Sequence, residues 1–150
     1  MLPVAQIIEQ AKQYFQIYEL VDPVTYAQFN EKAWWFICPC ALLSLIALRE
    51  QFGPITINDW YWGGNYKYSG YRPPNCTVGA KYSQHKFGRG FDAKSKAHTA
   101  IAMQDYILAN PKQFPFITAM ENAEHTKTWL HFDTRLSELL TIIVFDLRSS

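Results

Sequence analysis

Two histidines and one aspartate lie in two short segments of this chain, and they constrain the fold because a shared site requires those segments to meet. Residues 83–92 read SQHKFGRGFD and contain His85 and Asp92, and residues 129–133 read WLHFD and contain His131. Two imidazoles and one carboxylate form a typical open zinc site, in which a fourth position is left for water. The same donor set also holds non-haem iron, so the pattern leaves the choice of metal open.

The spacing of the first segment favours a turn that brings both of its donors to one ion. Six residues separate His85 from Asp92, and they include Gly88 and Gly90. Glycine permits positive φ angles and a close approach of the backbone to other groups. We therefore expect this segment to be a compact turn and not a regular helix.

The second segment has the composition of a strand with two different faces. In a strand successive side chains point to opposite faces, so Trp129, His131 and Asp133 share one face. Leu130 and Phe132 share the other face and are expected to pack against helices. The pattern thus predicts that His131 faces an open groove from a rigid element.

The order of these motifs resembles the M15 family of peptidases. The family pattern Ser-x-His-x-x-Gly-x-x-x-Asp, followed later by Trp-x-His, matches residues 83–92 and 129–131, and residues 69–75 (SGYRPPN) resemble its Ser-Gly-Tyr-Arg segment. The similarity runs from about Leu42 to Asp133. M15 enzymes are zinc D-Ala-D-Ala carboxypeptidases and L-alanyl-D-glutamate endopeptidases that cut peptidoglycan stem peptides. The resemblance implies that His85, Asp92 and His131 hold Zn²⁺ and that the fold is like that of the Hedgehog signalling domain.

Three further residues are assigned to the substrate side of the site. The resemblance implies that Arg72 stabilises a developing oxyanion or holds a substrate carboxylate, and a guanidinium can bind either one bidentately. We expect Arg72 to serve the substrate and not the core. Ser83 would hydrogen-bond near His85, and Trp129 shares the face of His131.

The general base is the open question of the motif. M15 enzymes often carry an acid three residues before the second metal histidine, but Thr128 occupies that position here. We rank Glu121 first, although a regular hairpin turning near Glu124 would place it about 13 Å along the sheet from His131. Asp133 ranks second, because it could instead orient a ligand. Glu124 ranks last, because seven extended residues span about 23 Å.

The remaining pattern predicts an α+β fold in one domain, residues 1–150. We expect a small antiparallel sheet with helices packed on one face and the cleft on the other, as in Hedgehog and DD-peptidase folds. Apolar periodicity predicts helices at 3–19, 40–51 and 96–109, and β-branched runs predict strands at 54–58, 114–120, 128–133 and 140–145. The aromatic loop at 59–82 could line the cleft or cover the sheet.

Composition limits the partners and the compartment. A net charge of +1 gives no electrostatic support for a nucleic-acid partner. The longest apolar stretch, about 33–48, is too short and too interrupted to span a membrane. The first residues lack a basic region followed by an apolar run, so we expect cytoplasmic synthesis without a signal peptide. By analogy with phage lysins, such a chain acts at the cell wall after release from the cell or as part of a virion.

These features predict a zinc metallopeptidase that cleaves peptidoglycan stem peptides. Thr128 favours an alternative, a catalytically inactive M15-like structural or binding protein such as a phage virion component that contacts other phage structural proteins. A third interpretation is a cell-wall-binding domain without a metal.

Overall fold

The computed structural model describes residues 2–146, which form four α-helices and four short β-strands. In chain order the elements are α1 (Val4–Lys12), α2 (Pro23–Phe29), α3 (Pro39–Phe52), β1 (Gly90–Ala93), α4 (Ala100–Ala109), β2 (Ala119–Glu121), β3 (Leu130–Asp133) and β4 (Ile143–Phe145). Short 3-10 turns lie at Ile17–Glu19, Asn30–Phe36, Trp60–Trp62, Gln84–Phe87 and Pro111–Gln113. The α+β class predicted from the sequence is confirmed.

The sheet is mixed, so the prediction of a wholly antiparallel sheet is wrong for its last strand. The strand order is β1-β3-β2-β4, with β3 antiparallel to both β1 and β2 and with β4 parallel to β2. The reason is topological. The chain leaves β3 and enters β4 on the far side of β2, and β2 and β4 both run opposite to β3, so they run parallel to each other.

Helix α3 begins at a proline and ends before a glycine, residues that typically mark the two ends of a helix. Pro39 occupies the first turn, where its missing N–H is not needed, and Gly53 follows the last turn with a φ of 79°. The side chains of Leu42, Leu45 and Leu48 are fully buried. Burying each one contributes about 1.5–3 kcal/mol relative to leaving it in water.

The other two predicted helices are shorter than expected because polar side chains make local turns. Helix α1 ends at Lys12, and Gln16 and Glu19 then form a reciprocal capping box around the Ile17–Glu19 turn. Helix α4 begins at Ala100 because Thr99 caps it, whereas the Ser95 hydroxyl accepts hydrogen bonds from Ala97 N and His98 N in a preceding turn.

The core lies between the helices and one face of the sheet. Phe91, Leu130 and Phe132 project from β1 and β3 into the apolar cluster that also contains the buried side chains of α3 and α4. The alternation predicted for residues 129–133 is therefore confirmed for the core side. The opposite face of the same strands carries Asp92 and His131.

The segment at 54–58 and the loop after it are only partly regular. The predicted strand at 54–58 is reduced to one bridge between Thr56 and Lys94. The aromatic loop divides its side chains: Tyr66 and Tyr68 line a groove beside Asp92, whereas Tyr61 stacks on Tyr18 at 3.7 Å between ring centroids. Among residues 2–146 no single helix has the length and hydropathy to cross a membrane, and one helix pair that meets the criterion together is bent by 91°.

Gly88 provides a test of the turn that precedes β1. Its φ is 68°, and an added Cβ would collide with the Phe36 carbonyl, whereas Gly63 has a φ of 88° with open space around it. We expect Gly63→Ala to cost about 1–2 kcal/mol from the left-handed backbone alone. Gly88→Ala should cost about 1–3 kcal/mol more, because overpacking adds to the same backbone strain. Urea denaturation measures both, and equal losses would contradict the packing assigned to Gly88.

Candidate metal centre

One row of residues crosses the sheet and carries most of the site. Asp92 on β1 pairs with His131 on β3, and the β2–β3 register of Met120 with Phe132 continues to place Glu121 opposite His131. Glu121 pairs in turn with Phe145 on β4. Directly opposed residues have Cβ atoms about 4.5–5.5 Å apart. These four side chains therefore stand side by side, and all of them line one cavity of about 190 Å³.

His85 reaches this row from the turn that precedes β1. Ser83 caps the turn through a 3.3 Å hydrogen bond from His85 N, and Gly88 closes it in the left-handed conformation. His85 Nδ1 lies 2.8 Å from the Gly70 carbonyl, which can only accept, so Nδ1 carries the proton. The lone pair of Nε2 is consequently directed into the site, 3.2 Å from Asp92 Oδ1.

His131 is fixed in the opposite tautomeric sense. Its Nε2 lies 2.8 Å from Asp133 Oδ2, and its Nδ1 lies 3.0 Å from Asp92 Oδ1. A carboxylate on one ring nitrogen commonly orients a metal-binding imidazole, which leaves Nδ1 as the ligand atom. One donor atom from each of His85, Asp92 and His131 lies within 4.8 Å of the others, so this group could hold a metal ion.

The electrostatics of the three residues favour a cation. Burial lowers the pKa of His85, which keeps its imidazole neutral. Burial opposes the charge on Asp92, whose side chain is 14% exposed, but the hydrogen bond and the charge of His131 hold the pKa of that carboxyl far below its usual range. Burial also disfavours charge on His131, but hydrogen bonds to Asp133 and Asp92 raise its pKa to about 9. In the metal-free protein a proton on His131 therefore sits where a cation would bind.

Asp133 serves His131 and does not face the cavity. It is fully buried, and both of its oxygens are occupied by Arg135, with Nε at 2.7 Å from Oδ1 and Nη2 at 2.7 Å from Oδ2. A carboxylate held in this way orients the imidazole and has no free oxygen for a water molecule. The geometry therefore favours the orienting role over the base role for Asp133. Arg135 is a site residue that the sequence reasoning missed, although its alternation with Asp133 and His131 was a usable signal.

Arg72 lines the cavity, as expected, but its side chain is buried and hydrogen-bonded to other parts of the protein. Its Nε donates to Tyr68 O at 2.7 Å and its Nη1 donates to Val78 O at 3.4 Å. Its Nη2 lies 3.4 Å from Asp92 Oδ2. A guanidinium has five N–H groups, so two remain for other partners. Arg72 therefore fastens the loop around residues 68–78 and supports Asp92, which corrects the expectation that it serves the substrate alone.

The two other residues assigned to the substrate side both reach the cavity. Ser83 lines it beside His85, but its hydroxyl oxygen is used as the cap of the turn. Trp129 lines it from the start of β3 and also walls the adjoining groove that contains Lys94. Of the two, Trp129 is placed to contact a bound molecule.

Among the candidate bases, the cavity contains Glu121 alone. Glu121 is 6% exposed, and its Oε1 has no hydrogen-bond partner among residues 2–146. Burial raises the pKa of its carboxyl. Glu124 is exposed and lies outside the cavity lining, as does Thr128. The chain between β2 and β3 is an irregular loop and not a regular hairpin turning near Glu124, so the 13 Å separation of such a hairpin does not apply to Glu121.

A second unpartnered polar atom lies at the cavity wall. Gln84 Oε1 is buried without a hydrogen-bond partner in the described part of the chain. Buried polar groups are nearly always satisfied in folded proteins. Glu121 and Gln84 both line the cavity that contains His85, Asp92 and His131, and each has one buried oxygen without a partner among residues 2–146.

No protein-family model, curated protein or solved structure matches this chain.

Metal binding by the three-residue group is directly testable. Purified protein equilibrated with a divalent transition metal should retain about one equivalent, and His131→Ala should lose it. The His85→Ala/His131→Ala variant removes two donors and should bind none at this site. His98→Ala is the matched control, because His98 is exposed and lies outside the cluster. Elemental analysis after dialysis gives the result, and full metal content in the double variant would refute the assignment.

The contacts of Arg72 predict a stability cost that a surface arginine would not show. Lysine cannot reach Tyr68 O, Val78 O and Asp92 together, so Arg72→Lys leaves partly buried acceptors unpaired. We expect a loss of about 1–3 kcal/mol in the free energy of unfolding. Arg49→Lys is the control, because Arg49 lies half-buried over the Tyr14 ring and should change stability by about 0.5 kcal/mol or less. Equal effects in the two variants would contradict the anchoring role.

Proposed function

We propose that this protein is a zinc metallopeptidase that cleaves peptide bonds in peptidoglycan stem peptides. The observation that carries the proposal is the arrangement of two histidines and one aspartate beside a buried, unpartnered glutamate in one cavity. If His85, Asp92 and His131 formed only a structural ion-pair cluster, the burial of the Glu121 carboxyl without a partner would have no explanation. A hydrolytic site requires such a group within reach of the reacting water.

The donor set supports zinc. Two imidazole nitrogens and one carboxylate oxygen leave an open coordination position, and the partners of His85 and His131 fix which nitrogen of each ring is available. When bound, zinc polarises a carbonyl and lowers the pKa of water.

Glu121 supplies the proton transfers in this proposal. Its carboxylate takes a proton from the attacking water and delivers it to the nitrogen of the departing amine. Burial moves its pKa upwards, towards the range where one carboxyl can both accept and donate a proton near neutral pH.

The surrounding residues position these groups. Asp133 holds the tautomer of His131, and Gly70 O holds that of His85. The two unassigned N–H groups of Arg72 are available to a substrate oxygen at the edge of the cavity. Trp129 gives the bound peptide an apolar wall.

The choice of peptidoglycan rests on the resemblance to M15 peptidases in residues 69–75, 83–92 and 129–131. A cavity of about 190 Å³ is small and suits one or two residues of a peptide. Stem peptides are short and carry free carboxylates, which suits the two arginines at the cavity. Action at the cell wall after phage-type release, or within a virion, belongs to the same proposal.

Wild-type hydrolysis of cell walls separates an enzyme from an inactive binding protein, and Glu121→Gln tests which group is the base. The amide keeps the shape of the side chain and loses its basicity, so release of amines or D-alanine from purified cell walls should fall by about 10²-fold or more. Zinc content should stay at the wild-type level. Glu124→Gln makes the same chemical change outside the cavity and should leave turnover intact.

Two outcomes would overturn the assignment. If Glu121→Gln keeps full turnover, another group is the base. If the wild-type protein binds zinc but releases nothing from walls of several chemotypes, the protein is an M15-like binding or structural component and not a peptidase.

A further inference from the structure

Arg135 lies at the cavity and has unused donors on a guanidinium that Asp133 holds in place. Asp133 holds its Nε and Nη2 at 2.7 Å each, and the Phe145 ring lies 4.6 Å from its central carbon. Its side chain is 25% exposed and lines the cavity. The group is therefore held in place before any ligand arrives, which removes much of the entropy cost of binding.

The geometry of the guanidinium defines what the remaining edge can bind. The Nε–Nη2 edge is occupied by Asp133, and the Nη1–Nη2 edge has no partner among residues 2–146. Two parallel N–H groups on one edge match the two oxygens of a carboxylate. The unused edge is thus a preformed fork for a carboxylate anion.

The neighbouring cations are held by more of the protein's own acceptors, and the side chain of Arg72 is 10% exposed against 25% for Arg135. Arg72 donates to two carbonyls and lies against Asp92. Lys94 donates to Ser69 Oγ at 2.9 Å and to Asp92 O at 3.1 Å, and its ammonium lies 4.0 Å from the Tyr66 ring centroid. Arg135 is consequently the cation best placed to meet a new anion.

We infer that Arg135 forms a subsite for a carboxylate of a bound peptide, on the Phe145 side of the His85–Asp92–His131 cluster. The carboxylate belongs either to the C-terminal residue of the ligand or to an acidic side chain next to the scissile bond. This inference rests on the proposed function for the ligand class, but it requires binding only and not turnover.

The test compares ligands that differ in charge alone. The probes are acetyl-dialanine and its C-terminal amide, in both D and L forms, and the pair acetyl-alanyl-glutamate amide and acetyl-alanyl-glutamine amide. Zinc-loaded protein should bind one acid about 10-fold or more tighter than its matched amide, the size of a charge-assisted hydrogen bond. A preference in the first pair identifies a C-terminal carboxylate, and a preference in the second identifies a side chain.

Arg135→Gln should reduce the acid-to-amide ratio to about 1 while the affinity for the amides stays nearly constant. Arg49→Gln is the control, because Arg49 also stacks on an aromatic ring, and it should keep the ratio. Zinc content is measured in each variant, and Arg135→Lys, which keeps charge without the fork, should give an intermediate ratio. Equal binding of acids and amides by the wild type, or a full preference in Arg135→Gln, would overturn the subsite. Preserved carboxylate binding without wall hydrolysis would sink the proposed function alone.

Discussion

The position of β3 between β1 and β2 is the constraint on which the site depends. Because both neighbours pair with β3 in antiparallel register, Asp92 and Glu121 flank His131 on one row of the sheet. A one-residue slip on either side would turn Asp92 or Glu121 towards the core, since side chains alternate faces along a strand. Phe91, Leu130, Phe132 and Met120 prevent that slip, because their buried side chains occupy the opposite face.

Two further contacts determine which ring nitrogen of His85 and of His131 faces the site. Gly70 O fixes the proton of His85 on Nδ1, and Asp133, itself held by Arg135, fixes the orientation of His131. Both partners come from outside the row, one from the loop before β1 and one from the end of β3. The loop around Arg72 then ties the first of these segments to Asp92. The short strands thus set the positions of the site residues, and contacts from outside the row orient the side chains of His85 and His131.

The sequence was sufficient for features that depend on local chemistry. Pro39 and Gly53 mark the ends of α3, the alternation at 129–133 separates core from site, and the spacing around Gly88 predicts the turn that carries His85. Contacts that depend on residues far apart in the sequence were not predictable. The irregular loop between β2 and β3 decides the position of Glu121, and the entry of β4 beside β2 makes the sheet mixed. The anchoring contacts of Arg72 were not predictable, because two of its partners are backbone carbonyls, which carry no signal in the side-chain pattern.

The most direct test of this account is a crystal structure of the zinc-loaded protein with anomalous diffraction recorded at the zinc edge. We expect one anomalous peak, bonded to His85 Nε2, one Asp92 oxygen and His131 Nδ1, with nitrogen distances of about 2.0–2.1 Å. We also expect Asp133 to remain hydrogen-bonded to His131 Nε2 and the Glu121 carboxylate to face the open coordination position. A zinc ion bound to His131 Nε2 and Asp133, or a peak outside this row, would contradict it.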